Sequence, residues 1–390
     1  MPRAARVLAL AGVLACAAPA LAQPLPPLAG GAATAPASDE ERRLWANADE
    51  ASEILARSGR VLDDPALTAY VQRVADRLFP EFKGHVRVHI LKAQSLNAFA
   101  LPNGNIYLHE GMLARFRNES QLAALLGHEG IHFVDRHSLQ EIEHGKSTAA
   151  LGTVLAVVGT PVVGLAANVL VMSSVTGYSR ELEAEADELG YKRLVAAGYD
   201  PREAPKLFKL MMDEVKASGA DEPFFFSTHP ALQDRYDNYL RLSKDAPAPK
   251  EPPPDHYLAT FADLRLASLE AEVSMARCKQ VIALLKEPER RSDYPPYVDY
   301  YLGEAYRQRG DKGDDELTKA AYLKAIAAAP GFAPAHRALG MQLLKAGAYD
   351  DAIRELEKYL ALAQGASDRA YAQMYLEEAR KRKDQGRKGK

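Results

Sequence analysis

The sequence predicts an α+β domain built around a small sheet, followed by an all-α domain of helical repeats. Short alternating runs near Val86, Val88 and Ile90, and on either side of Asn103-Gly104, read as strands. Longer stretches with apolar residues at helical spacing enclose them. From residue 257 onward only helical patterns remain, and two of these match in register 37 residues apart.

The chain opens on "MPRAARVLALAGVLACAAPALAQ", with Arg3 and Arg6 ahead of an apolar run and Ala20-Leu21-Ala22 before Gln23. This is the pattern of a secretory signal over 1–22, cleaved after Ala22. The alternative is a lipobox at "VLAC" with Cys16 acylated, although Leu14 fits a lipobox less well than a small residue would. Either reading exports the protein, to the periplasm in the first case and to a membrane anchor in the second. After cleavage only Cys278 remains, so no intramolecular disulfide is expected. Residues 23–38 read as a Pro/Ala/Gly linker without periodicity.

Residues 39–80 carry helical patterns, first around Trp45 and then in "DPALTAYVQRVADRL", where Asp64 caps and Pro65 starts the helix. "NAFAL" and "NIYL" flank Asn103-Gly104, a strong hairpin signal. Next, Asn118 and Gln121 form a capping pattern, with Leu122, Leu125 and Leu126 at helical spacing. This helix contains His128-Glu129-Gly130-Ile131-His132.

At about 100° per residue, His128 and His132 lie about 40° apart on one helix face. Two imidazoles so placed can share a tetrahedral metal at about 2 Å. Glu129 is close enough to act on a water at that metal without ligating it. The alternative is a chance match on a solvated helix. A third histidine on the spacing of the longer zinc motif is missing: that position is Ser138, the expected glycine is Asp135, and His137 falls one residue short. The third ligand must come from elsewhere.

"YSRELEAEADELGYKRLVAAGYDP" supplies candidates on another helix, ended by Gly198 and Pro201. Glu181, Glu183 and Glu185 compete for the role. Glu183 and Asp187 share one face, whereas Glu181 and Glu185 each point about 160° away from Glu183. One carboxylate to bind metal and another to orient a ligand histidine is a common arrangement.

Together, "LNAFALPNGNIYLHEGML", "ESQLAALLGHEGIHFVDRH", "YSRELEAEAD" and "FSTHP" resemble the M48 family of zinc metallopeptidases, in particular its periplasmic, TPR-bearing, beta-barrel assembly-enhancing members. The resemblance implies a zincin-like (gluzincin) peptidase domain over 39–243. It implies one Zn2+ per chain held by His128, His132 and Glu183, with Glu129 as general base and Asp187 behind the ligands. It also implies that His229, in "STHP", approaches the active site as an oxyanion donor or as a fourth, latent metal ligand. Its substrates would be misfolded or stalled outer-membrane proteins. The sequence departs from the family at Gly130, where a larger residue is usual and glycine costs the helix up to about 1 kcal/mol, and at "LPNGN". Related zinc peptidases hold substrate as an added strand at a sheet edge, for which Asn97 and Ala98 are the candidates.

Between the two metal motifs, 147–179 contains no charged residue. One membrane crossing would put Glu183 on the wrong side, and two need about forty apolar residues. The segment 149–175 therefore folds back near Thr160-Pro161, buried or in peripheral contact with a membrane. A proline-rich linker at 244–256 precedes TPR-like repeats over 257–379, in which Leu302-Gly303 matches Leu339-Gly340 and Gly310 matches Gly347. Such repeats expose a groove for a substrate or for the outer-membrane assembly machinery. The linker predicts that 255–390 is separable from the peptidase. The basic run at 380–390 reads as a disordered tail. A net charge of −3 and 47% hydrophobic content fit packed domains and give no sign of nucleic-acid binding. A competing function is a chaperone-like scaffold whose metal site is vestigial.

Overall fold

A computed structural model of the chain describes residues 25–143, 178–218, 232–249 and 252–388. Ser38 caps α1 (Asp39–Arg57), and the Asp64 carboxylate accepts from the amides of Ala66 and Leu67 to start α2 (Pro65–Leu78). Three strands follow: β1 (Arg87–Leu91), β2 (Ala98–Ala100) and β3 (Asn105–His109). Their order is β1-β3-β2, with β1 parallel and β2 antiparallel to β3. The hairpin expected at Asn103-Gly104 is the β2–β3 pair.

After the single turn α3 (Glu110–Leu113) comes the metal-motif helix α4 (Glu119–Val134). Asn118 accepts from the Gln121 amide, while the Gln121 side chain accepts from the Arg117 amide, one residue earlier than in a strict capping box. Every residue of α4 from Gln121 to Val134 is buried. A solvated surface helix is therefore excluded. Short α5 (His137–Glu143) and, later in the chain, α6 (Arg180–Ala196), α7 (Ala204–Ser218) and α8 (Leu232–Ser243) surround it.

Glycines set the distances here. A Cβ at Gly190 of α6 would lie 2.8 Å from the Gly127 carbonyl carbon and 2.9 Å from the His128 amide, so the α4 and α6 backbones nearly touch. Gly130 has a similar reason. A Cβ there would come within 2.3 Å of the Phe79 ring, which closes α2 against α4. The helix-propensity loss at Gly130 is offset by this contact.

The stretch expected as a featureless linker at 23–38 is docked from residue 25: Leu28 is buried in the main core and its amide donates to the Val134 carbonyl at 2.8 Å. Nor does the proline-rich stretch divide two cores. Tyr257 of the turn α9 (Tyr257–Thr260), and Phe261 beside it, are fully buried in the same core as Tyr70, Phe116 and Val74. Asp255 accepts from the Glu119 amide at 3.1 Å and so caps the metal-motif helix. Buried Arg115 bridges Glu214 of α7 and Glu272 of α10 (Ala262–Ser274).

The helical half continues with α11 (Cys278–Lys286) and the turn α12 (Pro288–Arg291). The pairs α13 (Asp299–Arg309) with α14 (Asp314–Ala328) and α15 (Ala333–Lys345) with α16 (Tyr349–Leu362) come next, then α17 (Arg369–Lys388). The repeat register is structural. Gly303 receives the Tyr322 ring of the second helix in its pair, and Gly340 receives Leu356. Gly310 and Gly347 end the first helices with φ of 68° and 78°. The expected disordered tail from residue 380 is instead helical to Lys388, because Arg380 reaches Glu357 at 2.7 Å and Lys383 pairs with Asp350. Among the described residues no helix is long and apolar enough to cross a membrane.

Candidate metal centre

The crossing of α4 and α6 sets the separations of the candidate ligand atoms. His128 Nε2 and His132 Nε2 are 3.0 Å apart, and Glu183 lies 3.5 Å from the first and 3.6 Å from the second. Tetrahedral ligands at about 2 Å from one metal stand about 3.3 Å from each other, so these separations fit a zinc-sized ion held by two imidazoles and a carboxylate. All three residues are buried. Glu181 and Glu185 are exposed, which leaves Glu183 as the α6 glutamate that meets the histidines. Glu129 is fully buried in the same helix turn.

Each histidine is held from behind. With Nε2 toward the ligand cluster, His128 Nδ1 carries the proton and donates to Asp187 at 3.0 Å. Asp187 is in turn gripped by Arg235 of α8 at 2.7 Å, and Arg235 also reaches Glu183 at 3.2 Å. The Arg235 nitrogen near the ring lies 2.9 Å from His128 Nδ1; since Asp187 accepts the ring proton, we assign that guanidinium to the carboxylates. Burial alone would raise the Asp187 carboxyl, but Arg235 and His128 outweigh it and hold it at about 2. Asp187 is thus an anion at neutral pH.

His132 Nδ1 meets His137 Nδ1 at 2.9 Å. Burial, reinforced by His128, pushes His137 down to about 4 against the pull of Glu183, so its neutral ring can accept. Tyr178 stacks on the other side of His132, with centroids 3.8 Å apart and planes 8° from parallel.

Periodicity missed His137, because five residues along a helix is about 140° from His132. The helix does not continue that far. Arg136 has φ of 59°, a left-handed conformation held by a two-pronged pair to Glu41 at 2.8 and 2.6 Å, and the chain turns His137 back. Arg235 carries no local signal for this role, since 107 residues separate it from His128.

β2 is an edge strand of the sheet and runs beside α4. Its register points the N–H and C=O of Asn97 and Phe99 at β3 and turns those of Ala98, which is fully buried, and Ala100 away from it. The Asn97 side chain is fully buried, and neither amide atom has a partner among the described residues. His229, the segment 149–175, the signal sequence and Cys16 lie outside the described residues.

Comparison with known proteins agrees with this geometry. Residues 62–241 match the model described as Peptidase family M48. The chain is 28% identical over 258 residues to a putative beta-barrel assembly-enhancing protease of Vibrio cholerae, covering 62% of this chain and 53% of that protein. It is 29% identical over 219 residues to the beta-barrel assembly-enhancing protease of Escherichia coli, covering 53% and 45%. It is 31% identical over 174 residues to the mitochondrial metalloendopeptidase OMA1 of Schizosaccharomyces pombe, covering 43% and 50%. The chain spans about half the length of the curated relatives it matches. Residues 62–241 thus form a domain that matches peptidase family M48.

Proposed function

We propose that the chain is an exported zinc-dependent endopeptidase acting on misfolded or stalled envelope proteins, with its helical repeats recruiting substrate or assembly machinery. The observation that carries the catalytic part is the triangle of His128, His132 and Glu183 at separations a tetrahedral ion requires. One zinc held there would supply a Lewis acid that polarises the scissile carbonyl and activates water. Glu129 takes the proton of the attacking water and delivers it to the departing amine. Asp187, fixed by Arg235, and His137 keep the two imidazoles turned inward. Ala98 and Ala100 offer backbone groups to an extended substrate, with the Asn97 amide beside them. His229 serves as oxyanion donor or latent fourth ligand. Periplasmic location after cleavage at Ala22, TPR-type recruitment and peripheral membrane contact through 149–175 rest on the sequence alone.

Metal analysis and casein digestion of point variants test this reading together. Glu129→Gln is expected to keep its zinc and lose more than about a hundredfold in turnover. Glu183→Ala is expected to lose zinc, and a full complement of metal in that variant would refute the ligand set. His229→Ala raises peptide turnover if the histidine is a latent ligand and lowers it about a hundredfold if it is an oxyanion donor. Unchanged turnover would remove His229 from the site.

A further inference from the structure

Away from the metal, a cleft of about 1070 Å³ opens where α7 and α8 of the peptidase meet α11 and α12 of the helical half. Seven of its lining side chains are cationic and three are anionic. Three of the cations are already paired: Arg202 with Asp200, Lys206 with Glu203 and Lys209 with Asp213. Glu214 is committed to Arg115. Arg241, Lys244, Lys286 and Arg290 have no ion pair within 4 Å among the described residues; Arg241 donates to Asn238 and acts on Glu188 at longer range, and Glu287 is the one lining carboxylate not paired elsewhere.

Arg290 shows how uneven this charge is. It donates to the Arg115 carbonyl at 3.2 Å and is crowded by Arg115, Arg117 and Arg265. Between the cations lies an apolar floor that includes Leu210, Tyr236, Leu240 and Leu284. Beyond Arg290 and Lys206 lies a second recess of about 480 Å³ in which Glu203, Glu287 and Glu289 balance Arg117, Lys206 and Arg290, so the cationic excess is confined to the larger cleft.

We propose that this cleft binds an extended acidic polypeptide segment whose carboxylates alternate with large apolar side chains. The cavity is at the top of the roughly 300–1,000 Å³ range of ligand sites, too large for a single anion. The uncompensated cations stand on two walls, Arg241 and Lys244 on one and Lys286 and Arg290 on the other, so the ligand must bring several negative groups spread along its length. A floor of leucine and tyrosine asks for apolar groups between them. An alternating polypeptide supplies both. This binding needs no zinc and goes beyond peptide hydrolysis.

The test uses the full chain in the Glu129→Gln background, so that the probe is not consumed. A fluorescein-labelled eight-residue peptide alternating glutamate and leucine is titrated by anisotropy beside its glutamine counterpart. The acidic peptide is expected to bind at least about tenfold more tightly, and to weaken with added salt. Lys244→Glu and Lys286→Glu, both at exposed positions, should each lower its affinity about tenfold with an unchanged melting temperature. Equal affinity for the two peptides, or full affinity in both variants, would overturn the proposal. So would sedimentation with phosphatidylglycerol vesicles that the same two substitutions abolish while the peptide fails to bind, since that assigns the cleft to a lipid surface.

Discussion

Asp135 ends the metal-motif helix with a buried carboxyl, one oxygen of which has no partner among the described residues. Burial, with Glu185 adding to it and Arg193 opposing, raises its pKa to about 6 from an ordinary 3.8. The folded chain therefore holds this proton more tightly than the unfolded chain. The stabilisation is fully present below the unfolded value and is lost as pH rises through about 6. Asp135→Asn is expected to stabilise the protein by about 1–3 kcal/mol at pH 7.5 and by almost nothing below about pH 3. Denaturant melts at the two pH values check this, and a pH-independent effect would refute it. At this scale the sequence was legible wherever one helix governed the geometry. The shared faces of His128 with His132 and of Glu183 with Asp187 follow from 100° per residue, whereas the choice of Glu183 over Glu181 and Glu185 comes from the family resemblance. His137 does not follow from it, because a left-handed Arg136 held by Glu41 interrupts the count.

The elements are placed by residues whose meaning depends on a distant partner. Gly127 and Gly190 are unremarked in sequence, since a glycine inside a helical pattern signals only a cost. Their function is visible only where the two helices cross. Gly190→Val would push α6 off the α4 backbone, which has no side chain there to yield, and carry Glu183 away from both histidines. Loss of zinc and about 1–3 kcal/mol of stability are expected, with Gly190→Ala milder. Normal zinc content and melting in the valine variant would show that the crossing does not set the site. The strands were easier to read, because Asn103-Gly104 and the alternating runs beside it are local signals. The parallel pairing of β1 with β3 is not local, and nothing in either strand announces it.

For the whole molecule, proline content suggested a division that the packing does not respect. Tyr257 and Phe261 lie where the repeats were expected to begin, yet they fill the peptidase core. Removing 255–390 strips both aromatics, uncaps α4 and leaves Arg115 with one carboxylate. At about 3–5 kcal/mol for each large aromatic, this approaches the whole stability of a typical domain, about 5–15 kcal/mol. That truncation is expected to be insoluble. Removing only 329–390 spares these contacts and should leave a soluble protein that binds zinc; solubility and metal content of the two truncations check the pair of outcomes. The Asp255 cap has a further consequence in time. During synthesis α4 appears 136 residues before the carboxylate that completes its first turn, and Arg235 also arrives late. A nascent chain thus carries both histidines long before it can hold them in place, so the cutting edge is finished only after the helices that follow it have begun to fold.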